Sequence, residues 1–225
     1  MFKQKRASPQ GFTIMEGTEI IEKYFPTLND RQKDAFTAMG PAYTEWNAKI
    51  NVISRKDIDA VYSHHILHSL ALAKVMGPMP EGTTVLDLGT GGGFPGIPLA
   101  VLYPQVHFHL VDRIGKKLNV ASAVAQTCGI ANVSFQHGDA SEVRRKYDYV
   151  VSRAVMSLDA LYAAARHAMA AGTVRGHLPK GLLALKGGDL TIEAAALKRP
   201  VEIIPISDFF FDDYFQTKSV VYVKS

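Results

Sequence analysis

Cysteine is almost missing from this 225-residue chain, with Cys128 the only one. A single thiol makes no internal disulfide and has no companion thiols for a structural zinc site, so neither framework can hold the fold, and Cys128 reads as a helix core residue. Long apolar runs are missing too. None reaches the roughly 20 residues that cross a bilayer, and the opening Met1-Phe2-Lys3-Gln4-Lys5-Arg6 is not followed by the apolar core of a secretion signal. The expectation is a cytoplasmic protein, a monomer without membrane contact. Internal repeats and low-complexity segments are absent. The excess of positive charge is small, +4 at pH 7, and gives only weak support for an anionic partner.

What is present is apolar residue type, 47% of the chain, enough to bury a core in one large domain or in one domain with an appendage. Residues 1–14 carry Lys3, Lys5, Arg6, Pro9 and Gly11 without periodicity and read as a disordered lead, with a basic arm for RNA as the alternative. Residues 15–80 read as a helical region packed on the rest. Apolar spacing there predicts two short helices between Glu19 and Met39, broken at Pro26, then helices over Pro41–Asn47 and Asp57–Met76.

From Gly82 the pattern changes to short apolar runs alternating with amphipathic segments. Strands are predicted over Thr83–Leu88, Val106–Asp112, Val133–Gln136, Tyr147–Ser152 and Leu182–Lys186, with helices near Gly96–Tyr103, Lys116–Cys128, Ser141–Lys146, Leu158–Ala171 and Leu190–Leu197. This is an α/β, doubly wound, mostly parallel sheet. Val201–Ile206 and Lys218–Val223, joined by an aromatic loop, read as a closing antiparallel hairpin, which brings the sheet to seven strands.

The first strand runs into Asp87-Leu88-Gly89-Thr90-Gly91-Gly92-Gly93-Phe94-Pro95-Gly96, five glycines among residues 89–96 immediately before a helix. A doubly wound sheet binds its ligand there, and glycines let the backbone come close to it. Gly91-x-Gly93-x-x-Gly96 formally matches a dinucleotide fingerprint, but two residues late and with Pro95 inside. The frame from Asp87, acid-x-Gly-x-Gly-x-Gly, instead resembles motif I of class I methyltransferases, where the acid faces the cationic amino group of a methionine moiety and would repel a pyrophosphate. Gly89, Gly91, Gly93 and Phe94 are therefore candidate cofactor residues. Asp112, ending the second strand, is a candidate for both ribose hydroxyls, or else a capping aspartate. Gly138-Asp139-Ala140 follows the third strand, where the resemblance to class I methyltransferases implies that Asp139 and Ala140 hold an adenine, or where Asp139 simply caps a turn.

Further motifs narrow the reading: Trp46-Asn47-Ala48-Lys49-Ile50-Asn51, His65-Ile66-Leu67-His68-Ser69-Leu70, the run from Asp87 through Gly-Gly-Gly-Phe-Pro-Gly-Ile-Pro to Ala100, Val111-Asp112 with Gly115-Lys116-Lys117, Val151-Ser152-Arg153-Ala154-Val155, and Leu185-Lys186-Gly187-Gly188. Together they resemble the small-subunit ribosomal RNA guanine-N7 methyltransferase family, long called glucose-inhibited division protein B, from about Tyr43 to Lys224. The resemblance implies a Rossmann-like methyltransferase domain over residues 81–225, S-adenosylmethionine as cofactor with S-adenosylhomocysteine as product, and 16S ribosomal RNA or the small ribosomal subunit as partner. It also implies that Arg153 positions target or cofactor.

Guanine N7 carries a lone pair and no proton, so its methylation needs no general base, and positioning should dominate. No catalytic His or Cys dyad is evident. His64, His65 and His68 invite a metal reading, which the lack of a nearby acidic third ligand and the metal-free chemistry argue against; packing or a polar lid is the alternative. Lys49, Arg55, Lys116, Lys117 and Lys186 are weak candidates for RNA phosphates, against the plainer reading of solvated helix faces and, for Lys186, a strand end. Rival functions are a methyltransferase acting on a small molecule or another RNA, an NAD-dependent enzyme, and a non-catalytic ribosome-assembly factor.

Overall fold

A computed structural model describes residues 17–153, 156–173 and 176–225. The lead over residues 1–14 and the pair Ala154 and Val155 lie outside these. Seven strands, β1 (Thr84–Leu88), β2 (His107–Asp112), β3 (Val133–His137), β4 (Tyr149–Arg153), β5 (Gly181–Gly187), β6 (Glu202–Pro205) and β7 (Lys218–Lys224), form one sheet in the order β3-β2-β1-β4-β5-β7-β6. The first five pair in parallel, whereas β7 runs antiparallel to both β5 and β6. β6 and β7 are the antiparallel hairpin anticipated at the C-terminus.

Successive side chains of a strand point to opposite faces, and both faces are covered. Val85, Phe108, Leu110, Val151 and Leu183 pack into one cluster with α1 (Glu19–Tyr24), α2 (Asp30–Lys49), α3 (His68–Met76), α4 (Gly96–Leu102) and α5 (Gly115–Thr127). Leu86, Leu88, Val111, Val150 and Leu182 pack into a second, with α6 (Leu158–Ala165) and the ends of α7 (Thr191–Ala196). Strand order reverses between β1 and β4, so the carboxyl ends of β1, β2 and β4 open a crevice at that edge.

Some predicted helices differ. The stretch from Asp30 to Lys49 is one helix through Pro41, not two segments. Pro41 has no N–H for the Thr37 carbonyl, and the Tyr62 hydroxyl takes its place, lying 3.1 Å from Thr37 O and 3.0 Å from Phe36 O. Residues 57–76 are not a single α-helix: a 3-10 turn (Ile58–Ala60) leads into a π-helical segment (Val61–Leu67) and then α3. The helix predicted over Ser141–Lys146 shrinks to a 3-10 turn, Ala140–Glu142. The helix predicted to reach Ala171 ends at Ala165, followed by a second such turn.

Candidate active site

Asp87 emerges from β1 fully buried beneath the glycine turn. Its Oδ2 accepts from Thr90 Oγ1 at 2.6 Å and from the Gly96 amide at 2.8 Å, tying the start of the turn to the start of α4. Its Oδ1 has no hydrogen-bond partner among the described residues. Burial pushes this carboxyl up to about 7, against the two hydrogen bonds that pull it down. Gly96 has to be glycine: an added Cβ would sit 2.7 Å from Asp87 Oδ2.

The turn is braced from α2. Tyr43 donates to the Gly92 carbonyl at 2.9 Å and stacks on Phe94, centroids 4.4 Å apart. Arg153 also lies against the Phe94 ring, its guanidinium carbon 4.6 Å from the centroid. Arg153 has no carboxylate within ion-pair distance among the described residues. Instead its Nη2 donates to His65 Nδ1 at 3.1 Å, and His65 Nε2 lies 2.6 Å from Asp57 Oδ2. Burial, then the charge of Arg153, push the His65 pKa down to about 4. The neutral ring therefore accepts from Arg153 and donates to Asp57. The other Asp57 oxygen meets His64 Nδ1 at 2.6 Å, and these two hydrogen bonds outweigh burial to hold Asp57 below its usual range.

A cleft of about 460 Å³ opens above the turn. Gly89, Gly91 and Phe94 line it, as do Asp112, Asp139, Ala140, Arg153 and Lys117. Asp87 and Gly93 are not on its wall: both stand behind the turn, Gly93 with φ +104° facing Ile97 and Tyr43. Asp112 is anchored by amides, Oδ2 accepting from Gly91 at 2.7 Å and Oδ1 from Ile114 at 2.8 Å. Each oxygen keeps a second lone pair for a ligand hydroxyl. Asp139 caps the 3-10 turn, accepting from Ser141 N at 3.0 Å, and that bond lowers its pKa.

Lys186 does not end in solvent. Its side chain is 9% exposed, and its ammonium meets Glu193 at 2.7 Å and the Met156 carbonyl at 2.6 Å, so its charge is answered within the protein. Lys49, Arg55 and Lys116 are exposed and lie off the cleft wall; Lys49 pairs with Glu45 at 2.7 Å. Asn47 accepts from the amides of Val52 and Ile53 and clamps the loop after α2, which sets Val52 at the cleft. Among the described residues no three His, Cys, Asp or Glu side chains group as a metal site, and no helix is long and apolar enough to cross a membrane.

Sequence reasoning passed over Tyr43, Asp57 and Tyr214. Tyr43 falls at helical spacing from Phe36 and Met39, a pattern of core packing that says nothing of its hydroxyl. Asp57 stands seven and eight positions before His64 and His65, a spacing made useful only by the intervening 3-10 and π turns.

The model for rRNA small subunit methyltransferase G, or GidB, matches residues 34–215 of the chain. The chain belongs to this family. Curated relatives named ribosomal RNA small subunit methyltransferase G include that of Porphyromonas gingivalis, 53% identical over 92% of this chain and 93% of its own length. That of Phocaeicola vulgatus is 52% identical over 91% and 97%. Among solved structures, the precorrin-6y C5,15-methyltransferase of Geobacter metallireducens superposes with a TM-score of 0.53 at 12% identity, covering 78% of this chain and 92% of that one. MtNAS, in a mutant form in complex with S-adenosylmethionine, gives 0.52 at 12% identity over 86% and 76%. The architecture is thus the class I methyltransferase fold, and this member of the methyltransferase G family is an enzyme of methyl transfer.

Proposed function

We propose that the protein transfers a methyl group from S-adenosylmethionine to N7 of a guanine in 16S ribosomal RNA, free or within the small ribosomal subunit. The observation that carries the cofactor is the pairing of Asp112 with an open glycine turn: Gly91 has φ +57° and open space where a side chain would stand. The donor set fits the molecule. Asp112 offers acceptors to two ribose hydroxyls, Ile114 and Ala140 offer an apolar wall for adenine, and buried Asp87, with its Oδ1 unpartnered behind the turn, is a carboxyl that a nearby ammonium would draw toward its ionised form. When bound, S-adenosylmethionine supplies an electrophilic methyl group on a sulfonium.

What the chain's own residues supply is position. His65 has both ring nitrogens engaged, so it is not free to take a proton, and its role is to aim Arg153. That suits an acceptor atom with no proton to lose. The names of the relatives support small-subunit ribosomal RNA as the acceptor. The test is to incubate the protein with methyl-labelled S-adenosylmethionine and unmethylated 16S RNA, small subunits or a metabolite extract, then map label by strand cleavage at N7-methylguanosine. Label at one guanine is the expected result. Label only in a metabolite would overturn the acceptor, and failure to bind the cofactor would overturn the whole reading.

A further inference from the structure

Beside the cofactor cleft lies a second cavity, of about 590 Å³, at the carboxyl ends of β4 and β5. The two share Arg153 and Met156, so a ligand in one touches the same residues as a ligand in the other. Its walls include His64, His68, Tyr214 and Lys218. The Lys186 ammonium and Glu193 carboxylate, also on the wall, cancel each other. The remaining formal charges on the wall, Arg153 and Lys218, are positive.

His68 is 5% exposed and its Nε2 has no hydrogen-bond partner among the described residues. An unmet polar atom at that depth is costly unless something answers it. The ring is held in place: Nδ1 lies 3.4 Å from the Tyr214 hydroxyl, which also reaches the His64 carbonyl at 3.3 Å. Tyr214 is itself fixed by stacking on His64, 3.8 Å between centroids and 12° from parallel. Burial, then the charges of Arg153 and Lys218, hold the His68 pKa well below its ordinary value, which leaves a neutral ring to make a hydrogen bond and not an ion pair.

We propose that this second cavity is the acceptor subsite, receiving the target guanine as an unpaired nucleotide turned out of the RNA, with His68 Nε2 hydrogen-bonded to the base edge. The inference rests on the guanine reading above and names where and how that guanine is held. The volume lies within the range that suits a small ligand. A base inside a duplex cannot enter, so the substrate must present it unpaired. Cationic walls suit the phosphate it carries, and Arg153, lining both cavities, borders base and cofactor alike. Nε2 acts as donor or acceptor according to where the Tyr214 proton lies, so its partner is either O6 or the N1/N2 edge of guanine.

The test uses His68→Phe, which keeps ring volume and removes both nitrogens, on small subunits rebuilt with guanosine, inosine or 2-aminopurine riboside at the methylated position. Inosine lacks the 2-amino group, and 2-aminopurine lacks O6 together with the N1 proton. The variant is expected to bind S-adenosylmethionine as the wild type does while losing roughly 10- to 50-fold in kcat/KM on the guanosine substrate. One analogue should cost the wild type a similar factor and cost the variant nothing further. Wild-type rates in the variant, or analogue penalties equal in both enzymes, would overturn the subsite. Should His68→Phe fail to bind cofactor, His68→Leu, which also carries no hydrogen-bonding atom, replaces it with the same criteria. If the wild type labels no guanine at all, it is the proposed function that fails; if it labels N7 and the variant does so equally, only the subsite fails.

Discussion

A carboxyl group with one oxygen bound twice and the other bound to nothing, wholly out of water, binds its proton more tightly in the folded protein than in the unfolded chain. Asp87 is such a group, with a folded pKa of about 7, against about 4 for an exposed aspartate. Between those values the folded state holds a proton that the unfolded state has released. Stability therefore falls as pH rises through that window, by at most about 1.4 kcal/mol per pH unit, and levels off above it. Asp87→Asn keeps an oxygen for Thr90 and Gly96 and has no proton to lose. Urea unfolding at about pH 5 and about pH 8 should show a larger loss of stability in the wild type than in this variant. Parallel losses would mean that Asp87 stays ionised and that a charge not yet identified supports it.

Asp112 poses the complementary case of a carboxylate whose two oxygens each serve one amide and keep a lone pair in reserve. Asn has a single oxygen, so Asp112→Asn strands either the Gly91 or the Ile114 amide and halves what is offered to a ribose. The affinity for S-adenosylmethionine, by calorimetry, is expected to fall about 10-fold or more. Unchanged affinity would remove Asp112 from the cofactor site.

The elements that could be read from the chain are those whose pattern is local. Val85-Leu86 before Asp87 and the Leu182–Leu185 run are continuous apolar strands because both faces of the sheet are buried, and the glycine turn follows β1 because only glycine tolerates its φ values and contacts. What escaped depends on partners far off in sequence. Pro41 reads as a break and is not one, because Tyr62 arrives from the next segment to satisfy the carbonyl that Pro41 leaves bare. His64, His65 and His68 invite a metal reading, but the π-helical segment and the turn before it set them against Asp57, Arg153 and Tyr214. Lys186 reads as a free strand end until Glu193, seven residues on, folds back to it. The Pro41 account is testable. Tyr62→Phe should destabilise the protein by about 1 kcal/mol, seen as a lower Tm. In a Pro41→Ala background, where the amide returns, the same change should cost less. Equal costs in the two backgrounds would show that the hydroxyl does not stand in for the missing amide.

Taken as one object, the protein carries exposed cations on residues next to the cleft wall, which form its rim. Val52, Arg113 and Lys117 line the cleft, with Arg113 paired to Asp139 at 3.6 Å; Arg55 and Lys56 are exposed on the loop beyond Val52, and Lys116 is exposed beside Lys117. Lys186, by contrast, is spent on Glu193. An RNA whose target nucleotide enters the sheet edge would run its phosphates across that rim, and each phosphate neutralised releases counterions. Plots of log affinity for 16S RNA against log salt should therefore lose roughly 0.7–0.9 in slope for Arg55→Gln and for Lys116→Gln, with cofactor affinity unchanged. Lys186→Gln should leave the slope alone and lower Tm, because it strands Glu193 and the Met156 carbonyl. If instead Lys186→Gln flattens the slope and the rim variants do not, Lys186 itself meets a phosphate and the rim is a solvated surface.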